Sequence, residues 1–199
     1  MNSEINPWSE LPNGTPFVPS VEVSVIESHN DQINSDTHRL RLDVLPEPFI
    51  GNIDASVYLL NLNPGYCSED LKWHARDDFA SAIRANLVHE ASEYPFYFLN
   101  PEFSESGGSE WWCKKLAPLI KATSQKRVAK SVFCVEYLGY HSIKYQKIAP
   151  KIAGGYLPTQ LYAAQLVRQA MQEDKVVVLM RSRAQWFGLV PELALYKKL

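Results

Sequence analysis

Residues 57–70 read VYLLNLNPGYCSED, and this stretch decides the fold. Val57-Tyr58-Leu59-Leu60 is continuously apolar, the pattern of a strand covered on both faces. It breaks into Asn61-Leu62-Asn63-Pro64-Gly65, a tight polar turn built from residues that hydrogen-bond locally or fix φ. Two further runs have the same character, SVFCVEY (131–137) and KVVVLMR (175–181), and both read as buried strands. Between and after them the apolar period changes to that of helices. Phe79, Ala82, Ile83 and Leu87 share one face of a helix near 77–91, with Asp77 and Asp78 suited to its positive end. Ser109 can cap a helix carrying Trp112, Leu116, Leu119 and Ile120, which Pro118 is expected to kink or shorten. Pro158 opens a third helix through Ala163, Leu166, Val167, Ala170 and Met171, and a last one starts near Ala184. Alternation of this kind predicts an α/β fold, a three-layer sandwich around a central, mainly parallel sheet.

The 199 residues suit a single domain, 1–199, with 1–20 a tail or surface wrap rich in Pro, Asn, Ser and Gly. VEVSVIES (21–28) reads as an edge strand or a short helix, and LRLDVL (40–45) as a short strand in a stretch that is mostly connection. YPFYFLNPEF (94–103) is too rich in proline and aromatics for a regular helix, and reads as a loop laid over the core. With 46% apolar residues a substantial core is available, so global disorder is excluded. Cys67, Cys113 and Cys134 are odd in number, far apart and without a CxxC. That argues against a disulfide framework, a zinc site or an iron–sulfur cluster, and points to a reducing, cytoplasmic compartment. The first residues lack the features of a secretory signal, and no apolar run is long enough to span a bilayer.

Charge is distributed unevenly. Residues 1–112 hold 5 basic and 18 acidic side chains, and residues 113–199 hold 15 and 4. A basic half invites a polyanion such as nucleic acid; alternatively the two halves pack and neutralise one another.

In parallel α/β sheets, ligands bind beyond the carboxyl ends of the strands. The segments leaving those ends supply Asn61, Asn63 and Tyr66, then Glu136, Tyr140 and His141, then Arg181 and Arg183. Aromatics offer stacking faces, amides read donor–acceptor edges and arginines anchor phosphate, a mixture suited to a flat ligand with polar edges. Glu136 follows a buried run directly and needs a partner, for which Arg181 or Arg183 on a neighbouring strand is available. His74 and His89 read as surface residues, Trp111 and Trp112 as core, and Lys126-Arg127 and Lys197-Lys198 as solvated faces. No P-loop, Ser-His-Asp order or metal-ligand spacing stands out, so no cofactor is expected.

The stretch EPFIGNIDASVYLLNLNPGYCSED resembles the first motif region of the uracil-DNA glycosylase superfamily, several branches of which carry a Gly-X-Asn-Pro-Gly turn after their first core strand. Asn63-Pro64-Gly65 matches its last three positions, and KVVVLMRSRAQWF resembles the strand and helix start that precede the family's second catalytic loop. The resemblance spans roughly 47 to 188. It implies a DNA-repair protein that flips a base out of the stack and hydrolyses its bond to the sugar. Asn63 would place the attacking water, Tyr66 would stack on the base, and Arg181 and Arg183 would hold phosphate. Glu136 or Tyr137 stands where family members read the base edge, often with asparagine. An ionised Glu136 only accepts hydrogen bonds, which suits an exocyclic amine better than uracil. Asn61 replaces the motif's opening glycine. The chain ends at Leu199 in the helix after the third strand, so the loop after a fourth strand is expected to be missing. Three readings stay open: a glycosylase, a binding protein that keeps the pocket without the chemistry, and an enzyme acting on a free nucleotide.

Overall fold

The computed structural model describes residues 5–148 and 155–199. Among the described residues four strands form one sheet in the order β1-β3-β2-β4: β1 is Phe49–Gly51, β2 Val57–Asn61, β3 Val132–Glu136 and β4 Val176–Leu179. β2 pairs in parallel with β3 on one side and β4 on the other, because each helical crossover brings the chain back to the same end of the sheet before the next strand. β1 runs antiparallel to β3, with Ile50 opposite Cys134. The sheet is therefore mixed rather than mainly parallel. The structure shows an α/β fold.

The helices are α1 (Val23–Gln32), α2 (Asp70–His74), α3 (Asp77–Leu87), α4 (Gly107–Ala122), α5 (Gln125–Ser131), α6 (Pro158–Gln172) and α7 (Arg183–Leu189). Four of them fall close to the signals read for them, near 77, 109, 158 and 184, while α2 and α5 lie where no helix was read. VEVSVIES resolves as helix. LRLDVL forms no strand and contributes only a single bridge, Arg41 opposite His141. β1 lies in a stretch read as connection, too short to carry a period. α4 is capped by Ser106, not Ser109, and runs through Pro118 without ending. The YPFYFLNPEF segment is part of the core itself: Phe96, Tyr97, Phe98, Leu99 and Phe103 are all buried. The strand read at 175–181 is not covered on both faces. β4 is an edge strand, and Val176 and Val178 are exposed while Val177 is fully buried.

β1 reaches β3 only because Gly51 has no side chain. Its φ is +120°, and a Cβ there would stand 2.4 Å from the Val132 carbonyl oxygen. Gly51→Ala is expected to cost at least about 2 kcal/mol, from backbone strain and the forced parting of two strands. Urea denaturation of the variant measures it, and an unchanged midpoint would contradict the close approach.

Candidate functional site

The three parallel strands end on one side of the sheet, and a cavity of about 540 Å³ opens there. That size is typical of small-ligand sites. Its floor is the pair Asn61 and Glu136, which terminate β2 and β3 directly opposite each other. Asn61 Nδ2 donates to Glu136 Oε1 at 2.9 Å. Asn61 Oδ1 and Glu136 Oε2 are buried and have no partner among the described residues. Burial drives the Glu136 carboxyl up to about 8, although the bonds from Asn61 and Cys134 and the charge of Arg181 pull the other way. Glu136 is thus mostly protonated at neutral pH. The sequence reading took it as an ionised acceptor; buried among apolar neighbours it holds a proton and can donate. No Glu136 ion pair with Arg181 or Arg183 forms, and Arg181 acts on it only at a distance.

The Asn-Pro-Gly turn is fastened to the loop after β3. Leu138 N–H donates to Leu62 O, Ser142 N–H to Pro64 O, and His141 Nδ1 to Gly65 O at 2.6 Å. Asn63 Nδ2 donates to Pro64 O at 2.9 Å and to Ser142 Oγ at 3.0 Å. Both amide hydrogens are therefore committed, and the side-chain oxygen has no hydrogen bond among the described residues. The turn thus orients two amide oxygens, those of Asn61 and Asn63, beside one cavity. The backbone oxygen of Asn61 is also occupied, taking the Trp186 indole N–H at 2.6 Å.

Aromatic side chains form the walls. Phe79, Phe98 and Trp112 are buried, while Trp111 and Tyr66 are half-buried and reach the opening. The Arg41 guanidinium lies 4.1 Å from the centre of the Tyr66 ring, and Arg181 lies 5.8 Å from that of Trp111. Arg181 and Lys144 place positive charge on the lining.

Of the residues read from sequence, Asn61, Asn63, Tyr66, Glu136, His141 and Arg181 converge on this cavity. Tyr140 does not. It is 1% exposed, its hydroxyl donates to Glu22 Oε2 at 2.7 Å, and its ring meets Trp8 edge-on, so it is a core residue. Arg183 lies outside the cavity as the first residue of α7, its guanidinium 4.8 Å from the Phe187 ring centre. His74 and His89 are not surface residues. His89 stacks on Phe49 and bonds the Tyr162 hydroxyl. The His74 side chain is 5% exposed, and burial drives its imidazole down to about 2, with His141 adding to the shift. Trp111, read as core, faces the cavity.

Sequence reasoning missed Glu47, which lines the cavity between β1 and the turn. The signal was present: a single carboxylate between Pro46 and Pro48 in the apolar run VLPEPFI. Its side chain is 5% exposed, and burial pushes it far above the carboxylate range, with Asp70 and Glu136 adding. No helix among the described residues is long and apolar enough to cross a membrane. Comparison with family models, curated proteins and solved structures finds no match.

Proposed function

We propose that the cavity receives a single nucleobase drawn out of a nucleic acid, as in a divergent DNA glycosylase, with Asn63 placing the water that attacks the sugar carbon. The observation that carries this reading is the floor. Asn61 Oδ1 is an unpaired acceptor, and neutral Glu136 offers an unpaired O–H donor beside it. An acceptor next to a donor complements an N–H next to a carbonyl, the edge of a lactam-type base. Uracil is such a base, so protonation removes the objection that an ionised Glu136 would repel it. Trp111 and Tyr66 supply faces for stacking. Asn63 keeps its side-chain oxygen free while its amide is anchored, the arrangement that orienting a water requires. Residues 113–199 carry 15 basic and 4 acidic side chains, which motivates a polyanionic partner. Three unpaired cysteines agree with a reducing, cytoplasmic setting.

The test is incubation with oligonucleotides carrying uracil or deaminated purines, followed by detection of abasic sites. Base release is expected from a lactam-type base, with Asn63→Ala slowing it about 100-fold, the scale of a lost placement of the reacting water. Oligonucleotide binding is expected to weaken steeply with salt. Binding without release, unaffected by Asn63→Ala, would make the protein a base-binding module without chemistry. No binding at low salt would remove nucleic acid as the partner.

A further inference from the structure

At the inner end of the cavity, Glu47, His74 and His141 come together from three separate segments: the loop before β1, the last residue of α2 and the loop after β3. Their ligand atoms all lie within 4.8 Å of one another. Glu47 Oε1 is 3.6 Å from His74 Nε2, and Glu47 Oε2 is 3.8 Å from His141 Nε2. These gaps are too long for hydrogen bonds. They are close to the separation of ligand atoms around a tetrahedral ion with bonds of about 2.0–2.2 Å, roughly 3.3–3.6 Å. Each of the three side chains is 5% exposed or less. Glu47 Oε1 and His141 Nε2 are buried and make no hydrogen bond of normal geometry among the described residues, although the Tyr97 hydroxyl lies close enough to act on Glu47. A buried carboxylate oxygen and a buried imidazole nitrogen, both unpaired and facing one gap, are available as ligands.

We propose that Glu47, His74 and His141 bind one divalent transition-metal ion of the zinc class. Two nitrogens and a carboxylate form a borderline donor set, which suits zinc; magnesium and calcium favour sites made of oxygen alone. His141 is already oriented for the task. Its Nδ1–H donates to the Gly65 carbonyl, which leaves the Nε2 lone pair turned to Glu47, the orienting bond common to metal-binding histidines. His74 is set differently. Its Nδ1 accepts the Leu45 N–H at 3.0 Å, so the proton sits on Nε2 toward Glu47. To ligate, the ring must tilt, give up that bond and shift its proton from Nε2 to Nδ1, and Glu47 must bind ionised, any proton it holds leaving to solvent. One buried hydrogen bond is worth about tenfold in an equilibrium constant. Zinc binding at protein sites is typically worth about a millionfold or more. The ion therefore wins, and Leu45 should report it. A fourth coordination position would face the cavity, since all three side chains line it. The proposal stands apart from nucleobase binding and needs no assumption about the reaction.

The experiment is titration of the chelator-treated full chain with zinc chloride by calorimetry, followed by cobalt substitution. One zinc per chain is expected, with a rise in melting temperature and a cobalt absorption spectrum that lacks the thiolate charge-transfer band. Glu47→Gln and His141→Ala should each weaken zinc binding by about 100-fold or more, since even the loss of outer-shell partners costs 10–100-fold. The Leu45 amide resonance should shift on saturation. Absence of zinc binding by the wild-type chain overturns the proposal. So does a thiolate band in the cobalt form, which would place the ion at a cysteine such as Cys67, or magnesium binding in preference to zinc. Should the variants fail to fold, the cobalt spectrum and the Leu45 resonance of the wild-type protein decide the matter.

Discussion

Glu22→Ala is expected to destabilise the protein by about 3–5 kcal/mol, because one carboxylate serves two buried donors that nothing else can serve. Glu22 is wholly buried at the start of α1. Oε2 accepts the Tyr140 hydroxyl at 2.7 Å, and Oε1 accepts the Thr159 backbone N–H at 2.7 Å. The first bond fixes the loop after β3, and the second closes the first turn of α6, whose Leu157 N-cap offers no oxygen of its own. Removal of the carboxylate strands a phenol and an amide in an apolar interior, each costing about 1–3 kcal/mol. For a chain of this length the loss corresponds to roughly 10 °C or more in melting temperature. Tyr140→Phe keeps the Thr159 bond and leaves only Glu22 Oε2 without a donor, so it should cost less, about 1–2 kcal/mol. Thermal and urea unfolding of both variants measure the contrast. Equal losses would mean that Thr159 finds another acceptor.

The same contact explains why Tyr140 was misread as a site residue. Its position in a polar, aromatic loop beyond a strand is that of His141, and the two are neighbours in sequence. Their side chains diverge because residue 140 meets a carboxylate 118 positions away, which no local pattern contains. The parallel core was legible for the opposite reason. β2 and β3 are buried runs whose periods need no knowledge of partners. β1, three residues long and antiparallel, has no period to detect; it is defined by a glycine that lets two backbones meet. The floor of the cavity was legible as residue types at strand ends. Its protonation state was not, since burial of Glu136 is a property of the assembled walls. Glu47 and His74 show the same limit: separately each is an ordinary polar residue in a loop or short helix, and only the fold brings them to one gap.

Wild-type protein should lose stability relative to Glu136→Gln as pH rises, by up to about 5 kcal/mol across the window from pH 4.5 to about 8. The sign follows from proton counting. The carboxyl titrates at 4.5 in the unfolded chain and at about 8 in the folded one. Between those values the folded state holds a proton that the unfolded state has released. Neutral Glu136 therefore contributes its full stabilisation below pH 4.5, and that contribution is lost as pH rises through 8. The cause is desolvation, which outweighs the bond from Asn61 Nδ2 and the field of Arg181. Glutamine keeps the shape and the oxygen that accepts from Asn61 but cannot ionise. The two proteins should be nearly equal at pH 4.5, and the variant the more stable at pH 9. The buried histidines, whose imidazoles are held well below their usual range, act on the acid side, where unfolding lets them charge. They are common to both proteins and cancel in the difference, which reports residue 136 together with its pull on Glu47. Urea unfolding of both forms at several pH values supplies the measurement. Parallel curves would show that Glu136 is ionised in the fold at neutral pH, and would remove with it the donor on which recognition of a lactam-type base depends.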